Sequence, residues 1–346
     1  LLLGGFLAGG VLAEAALRLL APALGLGLRS FVREEAAAWA ASSARIAGAT
    51  RLLLRESQFR EPVDVVAIGD SMVFGTLVSE DAVFTSRLAR QRGLRILNLG
   101  VASAGPCVYE RMLRLALARL PRPPRLVLYT VFANDFSEPP CGELRDEDLF
   151  LWEAEAEARP SFRLRRLRER LFRHSVLYQL LKRVAGFGSL NAGPRYAALP
   201  FDDGVRAFLF APPEWWRPQI ELVEGGPAFE RVVEQLAHAD AMARAAGSKL
   251  VLVLMPFKEQ VHLRELVAAG ALPARSYHAS YDALYDRLAQ RATRLGVGQV
   301  DLREPLRAAA RRGDKLYWTL DGHLTPQGHA TVAAALASPL DTALGD

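Results

Sequence analysis

A serine hydroxyl attacks a carbonyl only when a base accepts its proton, and an imidazole held in one tautomer by a carboxylate suits that task. Three residues of this chain have the required types. Ser71 lies in Gly69-Asp70-Ser71-Met72, just past the short apolar run VDVVAI at residues 63–68. A serine after a turn-permitting glycine at a strand's end stands where a nucleophile is exposed. Taken alone the triplet is weak, because Gly, Asp and Ser are common turn residues. The far end of the chain adds the partners. Asp321 and His323 stand two apart in DGHLTPQGH, residues 321–329, ahead of a proline suited to a helix's first turn. The other histidines fit less well. His174 falls in a basic stretch, His238 among surface-like neighbours, and His262 and His278 in polar connectors; His329 follows Pro326, where it caps or packs.

A tetrahedral intermediate also needs hydrogen-bond donors for its oxyanion, and losing one typically costs about 2.7–4 kcal/mol of barrier. Two segments have suitable groups: the Gly-rich turn NLGVASAG at residues 98–105, and Ala133-Asn134-Asp135 with its side-chain amide.

These four segments need a scaffold that brings them together. Short apolar runs at residues 63–68, 95–99, 126–132, 249–255 and 298–302 alternate with helical stretches at 80–92, 109–119, 228–246, 280–295 and 326–337. Strands alternating with helices imply an α/β fold with a mostly parallel five-stranded sheet covered on both faces. Ligands in such folds bind at the carboxyl ends of the strands, where Ser71, residues 98–105 and Asn134 fall. Residues from about 141 to 235 break the alternation, with Trp152, Trp215, Trp216 and several prolines. Within them, residues 163–183 read as a basic amphipathic helix whose charged face is solvated. The expectation is a helical insertion.

In chain order, GDS, NLGxxxxG, a strand followed by ND, and DGH resemble the blocks of SGNH (GDSL-like) hydrolases. The resemblance covers roughly residues 63–140 and 248–338 and implies a three-layer, flavodoxin-like fold. It implies Ser71 as nucleophile, with Asp321 and His323 as acid and base. It also implies an oxyanion hole formed by the Ser71 N–H, the Asn134 amide and a second-block N–H. Where the family usually has Gly, about five residues after its Asn, this chain has Ser103, flanked by Gly100 and Gly105; any of the three offers the N–H. The last block is D-x-H rather than the commoner D-x-x-H. That spacing resembles membrane-linked members, including alginate-type polysaccharide O-acetyltransferases, as does PFKEQV at residues 256–261. Lys258 there stands at a strand's carboxyl end. An ion pair with Glu259 is the expectation, ahead of contact with an anionic substrate. Cys107 and Cys141 follow the second and third blocks. Two readings stand: a disulfide across the site's mouth, or two thiols.

The remaining features bound the setting. With 346 residues, 51% hydrophobic and 23% charged, the chain has the profile of a folded protein. A net charge of +5 is a mild excess with no basic stripe or binding motif, so nucleic acid is not an expected partner. No metal-ligand spacing or phosphate loop occurs, so no metal or cofactor is expected. Residues 1–28 are apolar except for Glu14 and Arg18, and read as an N-terminal membrane helix followed by a helical connector over 29–60. The catalytic domain, 61–346, is then expected outside a bacterial inner membrane, in the periplasm or beyond. The expected substrate is an acyl ester or acylated carbohydrate, with a membrane acyl-donor protein as a partner if the reaction is transfer. A non-catalytic binding protein is the competing reading, opposed by the completeness of the four blocks.

Overall fold

The computed structural model describes residues 12–16, 19, 59–102, 104–137, 196–201, 204–209, 226–264, 275–318 and 321–345. The chain divides into two units, residues 1–44 with 145–194 and residues 45–144 with 195–346. In the first, residues 12–16 are helical, and Leu12 and Leu19 are exposed. Nearly all of the expected anchor and connector, the basic stretch 163–183, Ser103, Cys141, Trp152, Trp215 and Trp216 lie outside the described residues. Among the described residues no helix is long and apolar enough to cross a membrane.

The second unit has seven described strands: β1 (Val65–Gly69), β2 (Ile96–Gly100), β3 (Leu126–Val131), β4 (Tyr196–Phe201), β5 (Gly204–Leu209), β6 (Lys249–Leu254) and β7 (Gly298–Asp301). Five form one sheet in the order β2-β1-β3-β6-β7, every pair parallel. The central strands β1 and β3 are buried along their whole length, while the edge strand β7 is mostly exposed. That is why VVAIG and LVLYTV read as continuous apolar runs, the mark of strands covered on both faces.

Eight helices flank or follow these strands: α1 (Ser71–Phe74), α2 (Phe84–Arg92), α3 (Pro106–Arg119), α4 (Pro227–Ala245), α5 (Lys258–Val261), α6 (Arg275–Leu295), α7 (Arg303–Arg311) and α8 (Pro326–Leu344). Proline opens α3, α4 and α8, where its fixed φ suits the first turn and its missing N–H leaves no gap. The chain runs outward from β1 to β2 on one side and to β3, β6 and β7 on the other. β1 and β3 therefore flank the point where the strand order reverses, and an open α/β sheet forms its crevice there.

Three elements depart from the expectation. Residues 80–92 are not one helix: a 3-10 turn over Glu80–Ala82 ends at extended Val83 before α2 begins. Helix α7 was not among the helical stretches read from the sequence; its Pro305 falls in the first turn, where proline is tolerated. The insertion is not wholly helical, since β4 and β5 form a separate antiparallel hairpin. Pro200 interrupts YAALPF, so a search for buried parallel runs passes over it.

Candidate active site

The nucleophile segment is built by a cap. Asp70, fully buried, closes the N-terminus of α1 by accepting the Met72 N–H at 2.8 Å. This turns the chain sharply at the end of β1 and leaves Ser71 half-buried at the head of the short helix. Burial pushes the Asp70 carboxyl above the ordinary aspartate range, against the lowering effects of the Met72 N–H, His323, the Asn134 side chain and Ser71.

The Asn98 side chain holds α1 from β2. Its amide donates to Val73 O at 2.7 Å and to Thr85 Oγ1 at 3.0 Å, and its Oδ1 accepts the Gly100 N–H at 2.9 Å. The second-block donor is thereby narrowed. The Gly100 N–H is engaged by Asn98, so Gly100 is corrected from oxyanion donor to packing residue. Val101 and Ala104 donate to Gly69 O and Val101 O. Of the three residues considered, Gly105 caps α3 and Ser103 lies outside the described residues.

Gly100 is needed for a steric reason as well. A Cβ there would stand 2.2 Å from Phe74 N and 2.7 Å from Val73 C, both backbone atoms of the nucleophile helix. Gly100→Ala is expected to displace α1, lowering stability by about 3 kcal/mol, the upper end for overpacking. A denaturant midpoint read beside the rate of Ser71 modification checks this, and both are expected to fall.

Asn134 sits in the 3-10 turn Ala133–Ser137 after β3, and its side chain hydrogen-bonds the Asp70 carboxylate. An amide nitrogen carries two hydrogens, so anchoring the group on Asp70 sets the plane in which its second N–H points. Asp135 fixes the turn, accepting the Phe132 N–H at 2.8 Å and the Tyr109 hydroxyl at 2.7 Å. Tyr109 reaches Asp135 from α3, edge-on to Tyr129 of β3. Cys107 on α3 is disulfide-bonded, and the chain contains one other cysteine, Cys141.

The acid–base pair comes from the other side of the crevice. Residues Tyr317 and Leu324 form an antiparallel bridge, Trp318 N donates to His323 O at 3.0 Å, and Thr325 caps α8 through the Gly328 N–H. His323 Nε2 lies 2.8 Å from Ser71 Oγ, and His323 Nδ1 lies 2.5 Å from Asp321 Oδ1. The same carboxylate oxygen accepts the His323 backbone N–H at 2.8 Å. Two residues of spacing suffice because one oxygen serves both nitrogens.

Electrostatics follow from that geometry. Burial acts to raise the Asp321 pKa, but hydrogen bonds from the His323 side chain and backbone, with His323 and Lys258 charge, hold it below the ordinary value. Burial acts to lower that of His323, but the Asp321 hydrogen bond and charge, with the Asp70 charge, raise it above 6.5. An imidazole so placed is a stronger base toward the Ser71 proton.

Two other described histidines stand apart from this relay. His329 is buried against Phe84, whose N–H points at its Nδ1, and His262 packs edge-on to Tyr317. Residue types and order pointed to Ser71, Asn134, Asp321 and His323, and the structure brings them to one end of the sheet. The supports escaped notice: Asp70, Asn98, Tyr109 and Asp135 were visible only as turn or helix residues. Lys258 is another. It is 1% exposed, and its Nζ donates to Trp318 O at 2.8 Å and Asp321 O at 3.3 Å.

The sheet is that of an open, parallel α/β protein, and at its carboxyl end a serine, a histidine and a carboxylate stand within hydrogen-bonding reach of one another. Residues 212–345 match the family model described as an SGNH hydrolase-like domain, acetyltransferase AlgX. No curated protein sequence matches. Solved structures that resemble the chain include a lipolytic protein of the G-D-S-L family from Veillonella parvula, at 10% identity over 79% of this chain and 96% of that one, TM-score 0.44. A GDSL-like lipase from Bacteroides thetaiotaomicron aligns at 12% identity over 87% and 97%, TM-score 0.41. A catalytic mutant of an acetylxylan esterase from Geobacillus stearothermophilus aligns at 13% identity over 84% and 97%, TM-score 0.40. Over residues 212–345 the chain is thus similar to SGNH hydrolase-like domains.

Proposed function

We infer that the protein is a serine esterase acting on O-acylated carbohydrates or small esters through an acyl-Ser71 intermediate. The observation that supports this reading is the relay from Asp321 through His323 to Ser71, with contacts of 2.5 and 2.8 Å. As Ser71 Oγ attacks the ester carbonyl, His323 Nε2 takes its proton and Asp321 stabilises the imidazolium. The Ser71 N–H, the Asn134 amide and an N–H of Ser103 or Gly105 receive the oxyanion. Collapse breaks the ester bond, and His323 returns the proton to the leaving alkoxide. Water, deprotonated by the same imidazole, then attacks the acyl-serine and releases the acid.

A second reading replaces that water with a sugar hydroxyl, which makes the protein a polysaccharide O-acetyltransferase. The match of residues 212–345 to the acetyltransferase AlgX model favours it. Under either reading the apolar N-terminal stretch anchors the chain in the inner membrane with the catalytic domain on the periplasmic or extracellular side. Retention in the membrane fraction after an alkaline wash tests the anchor. Under the transfer reading a membrane protein supplies the acyl group.

Intact mass after exposure to a fluorophosphonate tests the nucleophile. One adduct on the wild type and none on Ser71→Ala is the expected result. It is followed by a comparison of p-nitrophenyl esters with acetylated sugars, with and without an acceptor oligosaccharide. Folded wild-type protein that takes no adduct would instead be a non-catalytic binding protein.

A further inference from the structure

The turn after β6 and the segment carrying the acid–base pair are fastened to each other from both sides. Tyr317 donates its hydroxyl to Pro256 O at 2.7 Å, while Lys258 Nζ donates back to Trp318 O and Asp321 O. The turn is itself tied to the sheet and to α6. Met255 N donates to Val131 O at 3.0 Å, and the Tyr285 hydroxyl donates to Met255 O at 2.7 Å. The place of Asp321 relative to the strand ends, and so to Ser71, is therefore set partly through Lys258.

A fastening alone asks only for a neutral donor. Lysines are almost never fully buried unless paired, because removing an ammonium from water is costly. Here the buried ammonium lies beside the carboxylate residue that orients the base. We propose that Lys258 is a positioning residue of the acyl-transfer site, holding Trp318 and Asp321 by its two carbonyl bonds and lending Asp321 a fixed positive charge, so that His323 stays in register with Ser71. The proposal rests on the reading of Ser71, His323 and Asp321 as a triad.

The charges around the pair give it a signature. His323 faces Asp321 on its own loop, and Asp70 and Ser71 from the β1–α1 turn. Asp321 faces His323 and Lys258. Lys258 also faces His262, which burial, and then Lys258, push down to about 4, so it adds no charge near neutrality. Glu259 faces Tyr317. Removing the ammonium takes away the positive charge that acts on Asp321, so the carboxylate's pull on an imidazolium at His323 is less offset. The proton is then held more tightly, and the acid limb of the rate profile moves to higher pH.

The test is the rate of fluorophosphonate labelling of Ser71 against pH for the full chain, Lys258→Met and Lys258→Gln, with circular dichroism of each. Lys258→Gln keeps a donor and drops the charge, so it carries the test if the methionine variant does not fold. Both are expected to move the acid limb upward. Lys258→Met is expected to label about 100-fold more slowly, the effect of a small misplacement of catalytic groups. An unmoved limb in a folded variant, at whatever rate, would reduce Lys258 to a fastening and overturn the proposal while leaving the triad standing. Wild-type protein that does not label at any pH overturns both.

Discussion

Replacement of His323 by alanine is expected to slow acylation of Ser71 by roughly 10⁶-fold, the loss seen when a serine enzyme is deprived of its base. Such a factor corresponds to about 8 kcal/mol of barrier, more than any support of the site is expected to contribute. It is large because the two other buried histidines among the described residues stand elsewhere. His329 is stacked on Phe84 and His262 packs edge-on to Tyr317, so neither replaces a base whose Nε2 lies 2.8 Å from Ser71 Oγ. The fold is expected to survive, since the backbone bonds from Trp318 N to His323 O and from His323 N to Asp321 Oδ1 need no imidazole. Stability should nonetheless respond to pH. The folded-state pKa of His323 is raised above 6.5, so the imidazole contributes stability that is fully present below 6.5 and lost as pH rises through the raised value. Melting curves of wild type and His323→Ala are therefore expected to converge as pH rises. Retention of most labelling activity by the folded variant would show that another group is the base.

How much of this was legible in the sequence depended on what kind of signal each residue carries. The parallel sheet was readable because strands buried on both faces need near-continuous apolar runs, and β1, β3 and β6 have them. The candidate reacting groups could be singled out because Ser71, Asn134 and Asp321-x-His323 lie at strand or loop ends, where chemistry leaves few residue types. The supports were not, because their meaning comes from distant partners. Asn98 matters through Val73 and Thr85, Asp135 through Tyr109, and Lys258 through a loop some 60 positions away. Gly100 shows the difference most clearly. A glycine in NLGxxxxG reads as an oxyanion donor, yet its N–H is engaged by Asn98 and its missing Cβ leaves room for α1. The hairpin β4–β5 was lost for the opposite reason: antiparallel pairing tolerates a proline-interrupted strand that a parallel core does not.

Asp321→Asn is expected to lower the rate about 10⁴-fold, as the loss of an orienting carboxylate does in serine enzymes, with little change in KM. In the wild type, Asp321 Oδ1 accepts both the backbone N–H and the ring Nδ1–H of His323. The proton on Nδ1 leaves Nε2 as the acceptor facing Ser71. An asparagine can turn its NH2 toward Nδ1, which moves the ring proton to Nε2 and makes the base a donor to the hydroxyl it should deprotonate. The substitution also removes the charge that raises the His323 pKa, so the acid limb of the residual rate should move to lower pH. Stability follows the carboxylate's own sign. Its folded pKa is lowered, so its contribution is present above the unfolded value of 3.8 and lost as pH falls through the folded one. The stability gap between wild type and Asp321→Asn should therefore close in acid. The direction of the limb separates the two neighbours of the imidazole: loss of the carboxylate moves it down, and loss of the Lys258 ammonium moves it up. A change confined to KM would assign Asp321 to substrate binding instead. Limbs that move the same way in both variants would mean that loop displacement, rather than charge, governs the base.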